Sequence, residues 1–193
     1  MPTELDPEQV KEFVLAGHMD FAKVQAMLAE NPALLNAAHP WSETDLETAL
    51  TAAGHVGNHE IAEFLLDQGA PLDICVAAML GRIEDVRSFL QSDSDLANAR
   101  GAHGISLMFH AAMSGNTDLA TLLRDKGCNE GYSHALHGAV NFGHTALVEW
   151  LLETGVENIN MQNFQGKTPL TVAIEGGHAE IAELLRQQGG RET

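Results

Sequence analysis

GKTPLTVAIEGGHAEIAELLRQQGG, residues 166–190, reads as two short helices in one unit. Thr168 can cap the first helix with its hydroxyl, and Pro169 suits the first helical position, where a backbone donor has no partner in any case. Leu170, Ala173 and Ile174 share one face at helical spacing, and Gly176-Gly177 stops the helix within about three turns. Ile181, Leu184 and Leu185 stripe the second helix, Glu180 sits near its positive N-terminal end, and Gly189-Gly190 ends it. Neither helix can bury its apolar face alone, so the unit must have neighbours.

The unit recurs upstream. Aligned on the mid-unit glycine, Gly17, Gly57, Gly81, Gly115, Gly143 and Gly177 follow one another at 40, 24, 34, 28 and 34 residues. Ala173 before the glycine is matched by Ala139, Ala111, Ala77 and Ala53, and His178 after it by His144 and His18. The pair Leu184-Leu185 is matched by Trp150-Leu151, Leu122-Leu123, Phe89-Leu90 and Phe64-Leu65.

TPLTVAIEGGHAEIAELL and TALTAAGHVGNHEIAEFLLDQGA resemble ankyrin repeats: a helix opened by Thr-Pro-Leu-His, Gly-His, a second helix ending in Leu-Leu, then Gly-Ala and a β-hairpin finger. A tetratricopeptide array shares the 34-residue period but wants longer helices and no Gly-His between them. The resemblance implies an all-α ankyrin-repeat solenoid of stacked helix-turn-helix units, with hairpin or loop fingers along one edge. The whole chain, 1–193, then forms one domain of about six units, near 6–36, 47–71, 72–96, 105–128, 133–157 and 167–190. Residues 1–6 are expected to be loose, and Asp6-Pro7 to open the first helix, which should end at Ala16 before Gly17-His18.

The fingers should alternate. Residues 36–47 form an extended first finger with Trp41 at its tip, whereas Ala70-Pro71-Leu72-Asp73 leaves no room for a hairpin and Asp73 caps the next helix directly. Residues 91–104 can form a normal finger, 128–133 are again too short, and 158–167 supply the last one.

Composition narrows the function. A formal charge of −17, from 10 basic and 27 acidic residues, argues against nucleic acid and anionic membrane surfaces as partners. Cys75 and Cys128 read as small core fillers, the N-terminus lacks the features of a signal peptide, and no apolar run is long enough to span a membrane. These features point to a cytoplasmic monomer. No nucleophile elbow, Walker loop or dinucleotide fingerprint is present, so neither an enzyme nor a cofactor is expected.

Ten histidines invite a metal reading that the spacing does not favour. His55 and His59 straddle Gly57 at a helix break, His134 and His137 lack further ligands nearby, and no CxxC or HExxH motif occurs. The expectation is no metal. His18, His144 and His178 read as turn residues, His137 as part of the Leu-His motif, and His39, His103 and His110 have no evident place.

The resemblance puts the two residues before each mid-unit glycine on the concave groove. His55, Met79, Leu80, Met113 and Phe142 stand there, and with Trp41 they are the candidate partner-binding residues. Apolar side chains on such a face suggest a partner protein with an apolar anchor flanked by Lys or Arg. A structural spacer or a subunit of a larger assembly is the alternative, and an enzyme or metal protein using groove histidines is a more remote one.

Overall fold

The computed structural model describes residues 5–193; the loose start expected for residues 1–4 lies outside them. Twelve α-helices among the described residues form six consecutive pairs. These are α1 (Pro7–Met19) with α2 (Phe21–Glu30), α3 (Ala49–Val56) with α4 (His59–Asp67), and α5 (Ile74–Met79) with α6 (Ile83–Ser92). Then come α7 (Leu107–Ser114) with α8 (Thr117–Asp125), α9 (Tyr132–Asn141) with α10 (Thr145–Thr154), and α11 (Pro169–Glu175) with α12 (Ala179–Gln187). The odd-numbered helices pack on one another in succession and form the inner layer, with the even-numbered ones outside. The architecture is an all-α solenoid.

Local chemistry explains where each helix starts and stops. Asp6, Thr48, Asp73, Ser106 and Thr168 each accept a backbone N–H from the first turn of an inner helix, satisfying a donor that has no intrahelical partner. Between the helices of a pair, Gly57, Gly81, Gly115, Gly143 and Gly177 all take φ between 69° and 77°, a region costly for any residue with a Cβ.

The first unit departs from the expected register. Gly17 and His18 lie inside α1, which runs on to Met19, and the turn falls at Asp20, whose side chain caps α2 through the Lys23 N–H at 3.1 Å. Gly17 serves packing instead: a Cβ there would stand 2.6 Å from the Ala49 carbonyl oxygen and 2.8 Å from its Cα. Its lack of a side chain lets α1 meet the start of α3 at backbone distance.

The fingers differ in build. The first is a hairpin of β1 (Ala38–Pro40) and β2 (Leu46–Thr48), with His39 opposite Glu47. The finger at residues 99–106 is closed by an Arg100–Ser106 bridge. The last is a loop turned by hydrogen bonds between Asn163 and Lys167. Ala70–Asp73 and 128–131 carry no strand, and Asp73 caps α5 at 2.8 Å from the Val76 N–H.

Buried apolar side chains fall into two clusters that meet at α5. Val76 and Met79 join the N-terminal cluster, while Ile74, Cys75, Ala77 and Ala78 join the larger C-terminal one. Cys75 and Cys128 are buried free thiols, and burial pushes Cys75 up to about 12, so it stays protonated and unreactive.

Candidate functional site

The concave side holds a cleft of about 870 Å³ whose lining includes Val56, Ile105, Phe109, Phe142, Phe164 and Val172. Of the candidate groove residues, His55, Met113 and Phe142 line it, and Phe142 is 37% exposed. Its ring tip leans across to the second unit, since a Cβ on Gly57 would stand 2.5 Å from Phe142 Cζ. Phe164, on the last finger, is 96% exposed and was not singled out from sequence.

The expectation for this face needs correction at two residues. Met79 is fully buried and a core side chain, and Leu80 packs partly buried against the same N-terminal cluster; Met113 touches the cleft but is only 3% exposed. The reason is local. With no finger in the Ala70–Asp73 link ahead of α5, Met79 turns into the space between units, whereas Met113, whose helix follows the finger at 99–106, packs against the N-terminal cluster. The lining carries histidines, amides and Arg100 without a carboxylate; Arg100 itself pairs with Glu130.

At the N-terminal end of the groove the lining turns polar. Glu47, on β2, is fully buried. Its Oε1 has imidazole nitrogens at 2.9 Å (His55 Nδ1), 3.4 Å (His103 Nε2) and 3.8 Å (His18 Nε2), yet neither Oε1 nor His55 Nδ1 makes a hydrogen bond within the described chain. The other oxygen, Oε2, accepts from Trp41 Nε1 at 2.6 Å. Trp41 is therefore tied back into the cluster, 39% exposed, with its ring against His39 and His103. The His55 ring lies edge-on to both His18 and His103, at centroid distances of 4.9 and 5.0 Å.

Burial alone would raise the Glu47 carboxyl; the close approach of His55 and the Trp41 donor, with the neighbouring His18 ring, outweigh it and hold the group below its usual range. One ligand atom from each of His18, Glu47 and His55 lies within 4.8 Å of the others. The sequence reading missed this convergence, although Ala-Gly-His stands at both 16–18 and 53–55 and was a usable signal. Aligning Gly17 with the turn glycines displaced His18 by three positions and hid its match to His55.

Other histidines do structural work. His144 Nε2 donates to the Met113 carbonyl at 2.9 Å, His137 Nε2 to Met161 at 2.6 Å and His110 Nδ1 to Ser106 at 2.9 Å. Burial lowers the His110 and His137 pKa values, keeping these rings neutral.

No helix among the described residues is long and apolar enough to cross a membrane. A yeast protein, the probable 26S proteasome regulatory subunit p28 of Saccharomyces cerevisiae, is 27% identical over 90% of this chain and 82% of its own length. A putative ankyrin repeat protein of fowlpox virus is 29% identical over 61% of this chain, which spans 28% of that protein. A probable E3 ubiquitin-protein ligase of Oryza sativa is 44% identical over 28% of this chain, corresponding to 11% of the ligase. Ankyrin repeats in three copies match residues 74–160 and 108–192, and a single ankyrin repeat matches 45–77. With six capped helix pairs, glycine turns and finger loops already in place, the chain belongs to the ankyrin repeat family.

Proposed function

We propose that this chain is a protein-binding module that receives a partner in its concave cleft and performs no chemistry of its own. Ankyrin repeats are generally protein-interaction modules, and the yeast relative is named as a subunit of a larger assembly. The observation that carries the reading is the cleft of about 870 Å³ with two accessible aromatic side chains, Phe142 and Phe164, on its wall and rim. Aromatic groups of this kind are the usual anchors of an interface.

The partner offers an apolar segment flanked by Lys or Arg. Its apolar residues fill the cleft, and its basic residues answer the net charge of −17, which lies outside the cleft lining and acts mainly on encounter rate.

Changing Phe142 and Phe164 together to Ser should weaken capture of a partner by on the order of 10- to 100-fold per anchor, since burying one such side chain is worth about 1.5–3 kcal/mol. The melting temperature should barely move for the Phe164 change, because a 96% exposed ring has little packing to lose. A double variant that melts like the wild type and captures the same partner at the same strength would sink the reading.

A further inference from the structure

We propose that His18, Glu47 and His55 are the ligands of a zinc-class metal site, with His103 beside them to be drawn in as a fourth, that pins the first finger to the inner helices of the first two units and to the finger at 99–106. The distances carry the first part of the argument. In a tetrahedral site with metal–ligand bonds of about 2.0–2.1 Å, neighbouring ligand atoms stand about 3.3 Å apart. The three imidazole nitrogens stand 2.9, 3.4 and 3.8 Å from Glu47 Oε1, bracketing that value. None is aligned as a hydrogen bond to it. Atoms this close that do not point at one another can converge on a shared point between them.

The outer contacts supply an independent argument. Metal-binding histidines and carboxylates usually have their second heteroatom held by another group, which fixes tautomer and orientation. Here His18 Nδ1 donates to the Leu15 carbonyl at 3.2 Å and His103 Nδ1 to Asp45 Oδ2 at 2.7 Å, leaving each Nε2 as a lone pair on the cluster side. Trp41 occupies Glu47 Oε2 and leaves Oε1. Asp45 also accepts the His103 backbone N–H at 2.9 Å, at the one described non-glycine residue with positive φ, 57°. A strained backbone held by a carboxylate 58 residues away in sequence places that imidazole where chain geometry alone would not.

Donor chemistry then selects the ion. Neutral imidazoles with one carboxylate suit zinc and its first-row neighbours better than calcium or magnesium, which prefer all-oxygen shells. With His103 drawn in as the fourth ligand the shell is closed and the site structural, and a 2+ ion gives the buried carboxylate a counter-charge.

The test uses the full chain, stripped with a chelator and titrated with Co²⁺ while the visible absorption of four-coordinate cobalt is followed, with Zn²⁺ then added as competitor. One equivalent should saturate the band and zinc should abolish it. Asp45→Asn should weaken binding about 10- to 100-fold, and His18→Ala with His55→Ala, or Glu47→Gln, by more. His134→Ala with His178→Ala should leave it unchanged. A wild-type protein with no saturable band, or a band that survives His18→Ala with His55→Ala, overturns the proposal. Should circular dichroism show a cluster variant to be unfolded, X-ray absorption of the zinc-loaded wild type decides. Imidazole scattering in the first shell supports the site, and an oxygen-only shell overturns it.

Discussion

Four successive inner helices place His18, His55, Met79 and Met113 at one position, two residues before the residue that ends the helix or turns the chain, Asp20, Gly57, Gly81 or Gly115. In the first two units the side chains meet a hairpin that folds a carboxylate, Glu47, over them. In the next two they are buried: no finger crosses the Ala70–Asp73 link ahead of Met79, and the finger at 99–106 ahead of Met113 turns His103 toward Glu47 instead. A repeat position has no chemistry of its own; the connection lying over it decides whether it is a polar cluster or a packing site.

Substituting Met79 is the most damaging way to test that contrast. Met79→Ala removes a fully buried side chain and should cost about 2–5 kcal/mol in urea unfolding. His55→Ala, at the matching position but partly exposed, should cost clearly less in metal-free protein. Equal losses would show that the two halves of the inner face are packed alike and that the contrast is false.

A smaller effect is expected at the border of the two halves. Gly57 has φ of 77°, and an added Cβ would meet the Phe142 ring tip at 2.5 Å and Met113 Sδ at 3.3 Å. Gly57→Ala should therefore destabilise by about 1–3 kcal/mol. Part of that loss should be relieved by Phe142→Ala, since the clash is then removed while the backbone strain remains. Strict additivity of the two changes would place the Phe142 ring elsewhere.

The helix pairs were legible in the sequence because their signals are local: Thr168-Pro169, Asp6-Pro7 and Asp73 are caps read from adjacent residues, and the glycine turns need positive φ whatever surrounds them. The polar cluster was not legible in the same way. It joins Asp45 to His103 across 58 residues, and depends on where a hairpin tip lands, which periodicity does not encode. Met79 and Met113 show the converse limit. Their apolar character was plain, but whether they faced solvent depended on how the links and neighbouring units lie over them. Phe164 went unremarked because its finger shares no repeat position with the rest.

The link into the last finger supplies a counterpart of Glu47, and there the expected effect is smallest. Gly131 precedes α9 and cannot cap it with a side chain; Glu157 does so from 24 residues away, its Oε2 accepting the Ser133 N–H at 3.1 Å and the Ser133 hydroxyl at 2.6 Å. Burial alone would raise this carboxyl, but the bonds from Ser133 and its own backbone, with a contribution from His134, outweigh it and lower its pKa. A depressed folded-state value means that the ionised group stabilises the fold above the unfolded pKa, about 4.3 for Glu, and that this contribution fades as pH falls through the folded value. Gln keeps an acceptor oxygen and loses the charge, so Glu157→Gln should cost about 1 kcal/mol at pH 7. At a pH low enough to protonate the folded carboxyl, variant and wild type should melt alike. A difference that stayed constant with pH would mean that charge is irrelevant at Ser133. Both glutamates would then be valued for shape alone, and the distinction between a carboxylate capping backbone donors and one facing imidazoles would fall with it.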